Sequence, residues 1–381
     1  MHPVVIAGSG LAGYSTAREL RKLHPDIPIT LITADGGEYY SKPTLSNALA
    51  AKKAPAAIPI STAEQMAVQL HATIRTRSRL TAIDPSARCV RVGEEAIPYS
   101  ALVLALGADQ VRLPLVGDAA GTVMTVNSLD DYGDFRAALE GKRRVAIIGA
   151  GLIGCEFAND LAAAGFAVAC VDIAEHPLPR LLPAAGAALL REKLAALGVE
   201  WHLGTSVSAV GREGDTVRVT LADGAALHAD LVLSAVGLRP KLALARAAGL
   251  AVRGGIMVDR FLAASVEDIY ALGDCAEVDG MILPFVMPIM HAARALAATL
   301  AGKRTLVAYP AMPVLVKTPA CPTIVAPPPP GALGEWRSER ANDGVKSLFT
   351  DSAGRLLGFA LNGTATAERA KLARELPPVL A

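Results

Sequence analysis

A short apolar strand, a glycine-rich turn, an amphipathic helix and a second strand occur twice in this 381-residue chain, and that repeated cassette limits the fold more than any other feature. In the first copy Val4-Val5-Ile6-Ala7 runs into Gly8-Ser9-Gly10-Leu11-Ala12-Gly13, a helix follows from Leu11 to Leu23, and Ile29 to Thr33 forms the next strand. In the second, Arg144 to Ile148 runs into Gly149-Ala150-Gly151-Leu152-Ile153-Gly154, a helix lies within Gly149 to Gly165, and Ala167 to Val171 forms the strand. The first glycine of such a turn permits its tight bend, the second lets backbone approach a pyrophosphate, and the third lets helix pack on strand. The helix N-terminus then offsets phosphate charge. A lone GxGxxG is weak, since 34 glycines in 381 positions give about 0.3 such triplets by chance. Two copies, each between an apolar strand and an apolar helix, predict two dinucleotide-binding units.

Acidic residues near the ends of the second strands refine this expectation. Asp172 stands 18 residues after Gly154, where a carboxylate accepts hydrogen bonds from an adenosine ribose and repels a 2′-phosphate, so the second unit should take NADH rather than NADPH. In the first unit Asp35 lies two residues past the strand end, and Thr33 and Ala34 are given equal weight as adenosine contacts. A later segment, Ile269-Tyr270-Ala271-Leu272-Gly273-Asp274, has the form of a strand delivering a glycine and a carboxylate to a ligand.

Chain organisation points to an α/β fold of two doubly wound, Rossmann-like dinucleotide-binding domains plus a small C-terminal β-rich α+β domain. The first unit covers 1–112 and 241–309, the second 113–240, and the C-terminal domain 310–381. Between the cassettes come a polar loop from Asp35 to Lys53, a helix near Ser61 to Leu70, alternating strands from Ile74 to Val92 and the apolar strand Ala101 to Leu106. No membrane insertion is expected, because the most apolar stretch, Leu283 to Gly302, carries two prolines, His291 and Arg294. Three residues before the first strand leave no room for a signal peptide, which predicts a cytoplasmic protein. With 37 basic and 36 acidic residues, net charge gives no sign of nucleic acid binding. Five scattered cysteines without a CxxC pair read as buried free thiols, and seven histidines without ligand spacing predict no metal.

Taken together, Gly8 to Gly13, Leu102 to Gly107, Gly149 to Gly154, Ser234 to Gly237 and Leu272 to Asp274 resemble the motif series of the two-dinucleotide-binding-domain flavoprotein reductases. With Tyr40 to Ser46 and Val316 to Pro322 included, the chain closely resembles the NADH-dependent rubredoxin reductases of pseudomonads. The resemblance implies tightly bound FAD on the first domain and NADH on the second. It implies pyrophosphate contacts from Ser9 to Ala12, adenosine contacts at Thr33 and Ala34, an adenine contact from the Leu80 backbone, and a ribityl hydroxyl on Asp274. Lys42 resembles the lysine set beside the flavin N5, and Glu156 its carboxylate partner; the plainer reading is a solvated loop lysine and a glutamate near a helix N-terminus. A helix starting near Pro288 would turn its N-terminus, with the Val286 backbone, toward the flavin pyrimidine edge. Lys317 would add a second positive charge there or meet the partner.

One departure carries chemistry. Relatives that reduce disulphides have a cysteine pair on the first domain, and peroxidase-like relatives have one cysteine after a Leu-Ser pair, but here Leu45-Ser46 is followed by Asn47. Electrons then leave the flavin one at a time to an external carrier. The resemblance makes that carrier rubredoxin and suggests alkane hydroxylation as the process served. The rivals are a ferredoxin reductase serving an oxygenase and a nucleotide-binding regulator with incidental turnover. A panel of carriers separates the first, and rapid flavin bleaching by NADH excludes the second.

Overall fold

The computed structural model describes residues 2–381. Its first parallel sheet runs in the order Ile269–Ala271, Ala101–Leu104, Val4–Ala7, Ile29–Ile32, Thr73–Arg75. Val4–Ala7 and Ala101–Leu104 are buried at every position, as central parallel strands covered on both faces must be. Ile269–Ala271 joins this sheet although a whole second sheet intervenes in sequence, so the chain does return to its first unit. Helices Leu11–Leu23 and Val286–Leu300 pack against each other in the first core.

The second parallel sheet has the order Val199–Leu203, Ala167–Asp172, Arg144–Ile148, Leu231–Ser234. Its residues alternate between two cores. Val145, Ile147, Leu231 and Leu233 face helices Leu152–Ala163 and Ala184–Ala196, while Ala146, Ile148 and Val232 face the antiparallel strands Val207–Glu213, Thr216–Leu221 and Ala226–Ala229. The Rossmann-like sheet is therefore as expected, with one difference: a three-stranded meander covers the second face in place of helices. The two crossings between the units, Ala108–Gln110 and Leu238–Pro240, pair with each other as an antiparallel ribbon.

The C-terminal region is an antiparallel sheet ordered Val314–Val316, Thr323–Ala326, Leu356–Gly363, Gly344–Thr350, Glu335–Ala341, followed by helix Arg369–Glu375. Its buried residues Val316, Cys321, Val325, Val345 and Ala360 belong to the same core as the second nucleotide unit. So do Leu45 and Ala48 from the polar loop of the first unit, and Ile58 just beyond it. That loop carries Lys42, and its apolar residues fasten it to a neighbouring domain. Leu45, 3% exposed, should cost about 2–5 kcal/mol when replaced by alanine, measured by denaturant unfolding. A loss below about 1 kcal/mol would remove this loop from the shared core.

Candidate functional site

At the first cassette the helix begins at Leu11, with Gly8 in the left-handed region at φ +115 and Gly13 pressed against it. A Cβ on Gly13 would lie 1.9 Å from the Gly8 carbonyl oxygen, so close packing alone demands this glycine. Gly10 differs: its backbone is extended, and an added Cβ would meet no protein atom within 4 Å. Nothing inside the protein requires a glycine there, which fits a close approach by something outside it. The Asp35 carboxylate organises the loop, accepting from the Ser9 hydroxyl at 2.9 Å, the Thr33 hydroxyl at 2.6 Å and the Gly37 N–H at 3.0 Å. The Ser9 and Thr33 hydroxyl oxygens also lie 2.8 Å apart, so one of the two protons is shared between its neighbour and Asp35. Ala34 is exposed beside this network, and Leu80 is buried with no protein hydrogen bond to its backbone among the described residues.

The second cassette repeats the design. Gly149 has φ +106, a Cβ on Gly154 would lie 1.8 Å from the Gly149 oxygen, and one on Gly151 would meet nothing within 4 Å. Asp172 accepts from the N–H groups of Ala150, inside the loop, and Ala174 at 2.7 Å. Each carboxylate oxygen keeps a second lone pair for a ligand hydroxyl. In both units an aspartate at or just past the end of the second strand stiffens the glycine turn from behind.

Gly273, at φ +78, leans on Ala12, so the segment carrying Asp274 closes over the first cradle. Asp274 has no protein hydrogen bond among the described residues; burial raises its pKa and Lys42 opposes that shift. Lys42 opens a short 3-10 turn, Lys42–Thr44, and burial lowers its pKa while Asp274 draws it back up. The helix expected near Pro288 starts two residues earlier, at Val286, and puts the proline in its first turn, where a missing N–H costs no helical hydrogen bond. Val286, 41% exposed, thus stands at the helix N-terminus.

The expected Lys42–Glu156 ion pair is absent among the described residues. Glu156, 2% exposed, is engaged elsewhere: it accepts from the Ser46 hydroxyl and from the Lys317 backbone N–H at 2.9 Å. Burial raises its pKa, and both hydrogen bonds counter the rise. The Lys317 side chain is half-buried, which lowers its pKa, with Glu156 opposing. Sequence reading missed two neighbours of Glu156. Asn159 accepts from the Ala320 N–H at 3.0 Å, and Asp160 accepts from the Leu49 and Ala50 N–H groups at 2.9 Å each. Three polar residues at positions i, i+3 and i+4 of an otherwise apolar helix were the available signal.

Comparison with known proteins agrees with this geometry. Residues 2–299 match the family model described as pyridine nucleotide-disulphide oxidoreductase. The chain belongs to that family. Residues 306–376 match a second model, the rubredoxin binding C-terminal domain. The chain is 49% identical to the Rubredoxin-NAD(+) reductase of Alcanivorax borkumensis over the full length of both proteins. It is 41% identical to the Nitric oxide reductase FlRd-NAD(+) reductase of Aeromonas hydrophila, covering 98% of this chain and 96% of that one. The crystal structure of a ferredoxin reductase from Rhodopseudomonas palustris superposes with a TM-score of 0.89 at 28% identity, covering 99% of this chain and 96% of that one.

The glycines divide by cause, and that division is testable. Gly10→Val should leave the unfolding free energy of the flavin-free protein within about 0.5 kcal/mol while abolishing FAD retention. Gly13→Ala should cost the flavin-free protein itself about 1–3 kcal/mol. Full flavin content in purified Gly10→Val, read from its visible absorbance, would show that no phosphate passes that glycine.

Proposed function

We propose that this protein is an FAD-dependent oxidoreductase that carries electrons from NADH to rubredoxin. One NADH and two oxidised rubredoxins give NAD+, a proton and two reduced rubredoxins. The bound flavin supplies the conversion between a two-electron donor and a one-electron carrier. The observation that carries this reading is the joining, in one chain, of two dinucleotide cradles to a C-terminal domain of the rubredoxin binding type.

In this reading Gly8 to Gly13 cradle the FAD pyrophosphate, Thr33, Ala34 and Asp35 face its adenosine, the Leu80 backbone meets the adenine, and Asp274 receives a ribityl hydroxyl. Gly149, Gly151, Gly154 and Asp172 hold NADH. Lys42 and the N-terminus at Val286 would favour the negative charge of the reduced flavin, and Lys317, on the third domain, would meet rubredoxin. Glu156 acts by holding Ser46 and Lys317 in place. The match of Asp172 to an unphosphorylated ribose supports NADH over NADPH.

The cysteines support release of electrons straight from the flavin. All five are free and buried. Cys275, beside Asp274, has its thiol pushed up to about 11 by burial, so at neutral pH it stays protonated and unreactive. Buried free thiols also suit a reducing compartment, and we place the protein in the cytoplasm. No helix among the described residues is long and apolar enough to cross a membrane.

A yellow preparation whose NADH-driven cytochrome c reduction requires added rubredoxin supports the assignment; equal rates without rubredoxin count against it. Rising ionic strength should slow rubredoxin reduction severalfold and spare bleaching of the flavin by NADH, because only the first depends on a screened encounter. Equal slowing of both would contradict this. Because burial holds the Lys42 ammonium below its ordinary value of 10.5, its charge is lost earlier than usual as pH rises. The NADH bleaching rate should therefore fall with a midpoint below 10.5, and Lys42→Met should give a slow rate without that fall. A wild-type rate that is flat through this range would remove the Lys42 charge from hydride transfer.

A further inference from the structure

Helix Leu152–Ala163 begins at the second dinucleotide cradle and turns one polar stripe toward the rest of the molecule. Asn159 and Asp160 on that stripe are 3% and 2% exposed, and their acceptors are filled by backbone N–H groups of other domains. Asp160 takes two donors, Leu49 and Ala50, from the loop of the first unit. That loop is tied to itself back to Lys42: Leu45 N–H bonds the Lys42 carbonyl, Asn47 N–H the Thr44 carbonyl, and the Asn47 side chain the Pro43 carbonyl. An anchor at Leu49 and Ala50 therefore restrains Lys42. Asn159 takes Ala320, inside the turn from Thr318 to Cys321 that directly follows Lys317; Cys321 N–H bonds the Thr318 carbonyl, and the Thr318 hydroxyl bonds the Cys321 carbonyl at 2.7 Å.

We infer that Asp160 and Asn159 are positioning residues through which the second nucleotide domain sets the stance of the two lysine-bearing loops, Asp160 for Lys42 and Asn159 for Lys317. The inference rests on the functional reading above and deepens it. Apolar residues at these two sites would leave the N–H groups of Leu49, Ala50 and Ala320, which meet the helix in part-buried contacts, without their acceptors. The consequence is a division of labour. The Asp160 arm governs the step in which NADH reduces the flavin, and the Asn159 arm governs the encounter with rubredoxin, since Lys317 belongs to the rubredoxin binding type of domain.

Amide hydrogen exchange and two kinetic constants test this in the flavin-loaded full chain. In the wild-type protein the amides of Leu49, Ala50 and Ala320 should exchange far more slowly than exposed loop amides; exchange at loop rates overturns the inference, whether or not any variant folds. Asp160→Asn turns one acceptor oxygen into a donor, so with FAD content unchanged the Leu49 or Ala50 amide should exchange about tenfold faster and flavin bleaching by NADH should slow about tenfold. The KM for rubredoxin should move far less. Asn159→Ala should show the reverse: Ala320 exchanges about tenfold faster, KM for rubredoxin rises about tenfold, and bleaching changes little. Asn159→Asp keeps the acceptor and should restore both. Loosened amides with both constants at wild-type values, or equal shifts of both constants in both variants, reduce these residues to structural supports and overturn the inference. Wild-type protein with protected amides that neither bleaches with NADH nor reduces rubredoxin overturns the functional reading instead, and the kinetic half of the inference with it.

Discussion

Three parts of the chain meet at one buried carboxylate. Glu156 stands on the helix that follows the second glycine turn, accepts the Ser46 hydroxyl from the first unit and accepts the Lys317 N–H from the third domain. A carboxylate with 2% exposure is costly to bury, and it is tolerated here because both oxygens are bonded. Removing it would leave the Lys317 amide without its acceptor and the Ser46 hydroxyl with only the long 3.4 Å bond to the Pro43 carbonyl. Asn159 and Asp160 extend the same contact along the helix, so the loops bearing Lys42 and Lys317 are referenced to the frame that holds the second dinucleotide cradle. The apolar core shared by all three parts supplies the bulk of the adhesion, and these hydrogen bonds set its register.

The nucleotide units were legible in the sequence because their physics is local. The helix read as Leu11 to Leu23 is observed over those residues, since an apolar face and a glycine turn fix both its phase and its start. The parallel sheet was legible from runs of buried β-branched residues. The meander on the second face was not anticipated there, because period-2 strands reveal which side is apolar and not what covers the opposite side of a distant sheet. The Pro288 helix began early because proline is tolerated anywhere in the first turn, so its position marks a window and not a residue.

The site was less legible. Resemblance pairs Lys42 with Glu156, but the loop that carries Lys42 is pinned by Leu45 and Ala48 in a foreign core, the charge that supports its ammonium most is that of Asp274, and Ser46 takes the glutamate. Such a choice among partners depends on distances between domains, which spacing along the chain does not encode. Spacing puts Asp35 two residues past the strand end, beside Thr33 and Ala34; in the structure its carboxylate braces Ser9 and Thr33 behind the glycine turn. The missing thiol was readable outright, because Asn47 stands where relatives carry cysteine, and a residue type cannot be disguised by folding.

That last point separates this chain from the disulphide chemistry for which its family is named, and it can be measured by counting electrons. In an anaerobic titration the oxidised protein should consume one NADH per FAD and then be reoxidised by two equivalents of rubredoxin. Uptake of a second NADH per flavin would reveal a thiol-based electron store and contradict the account.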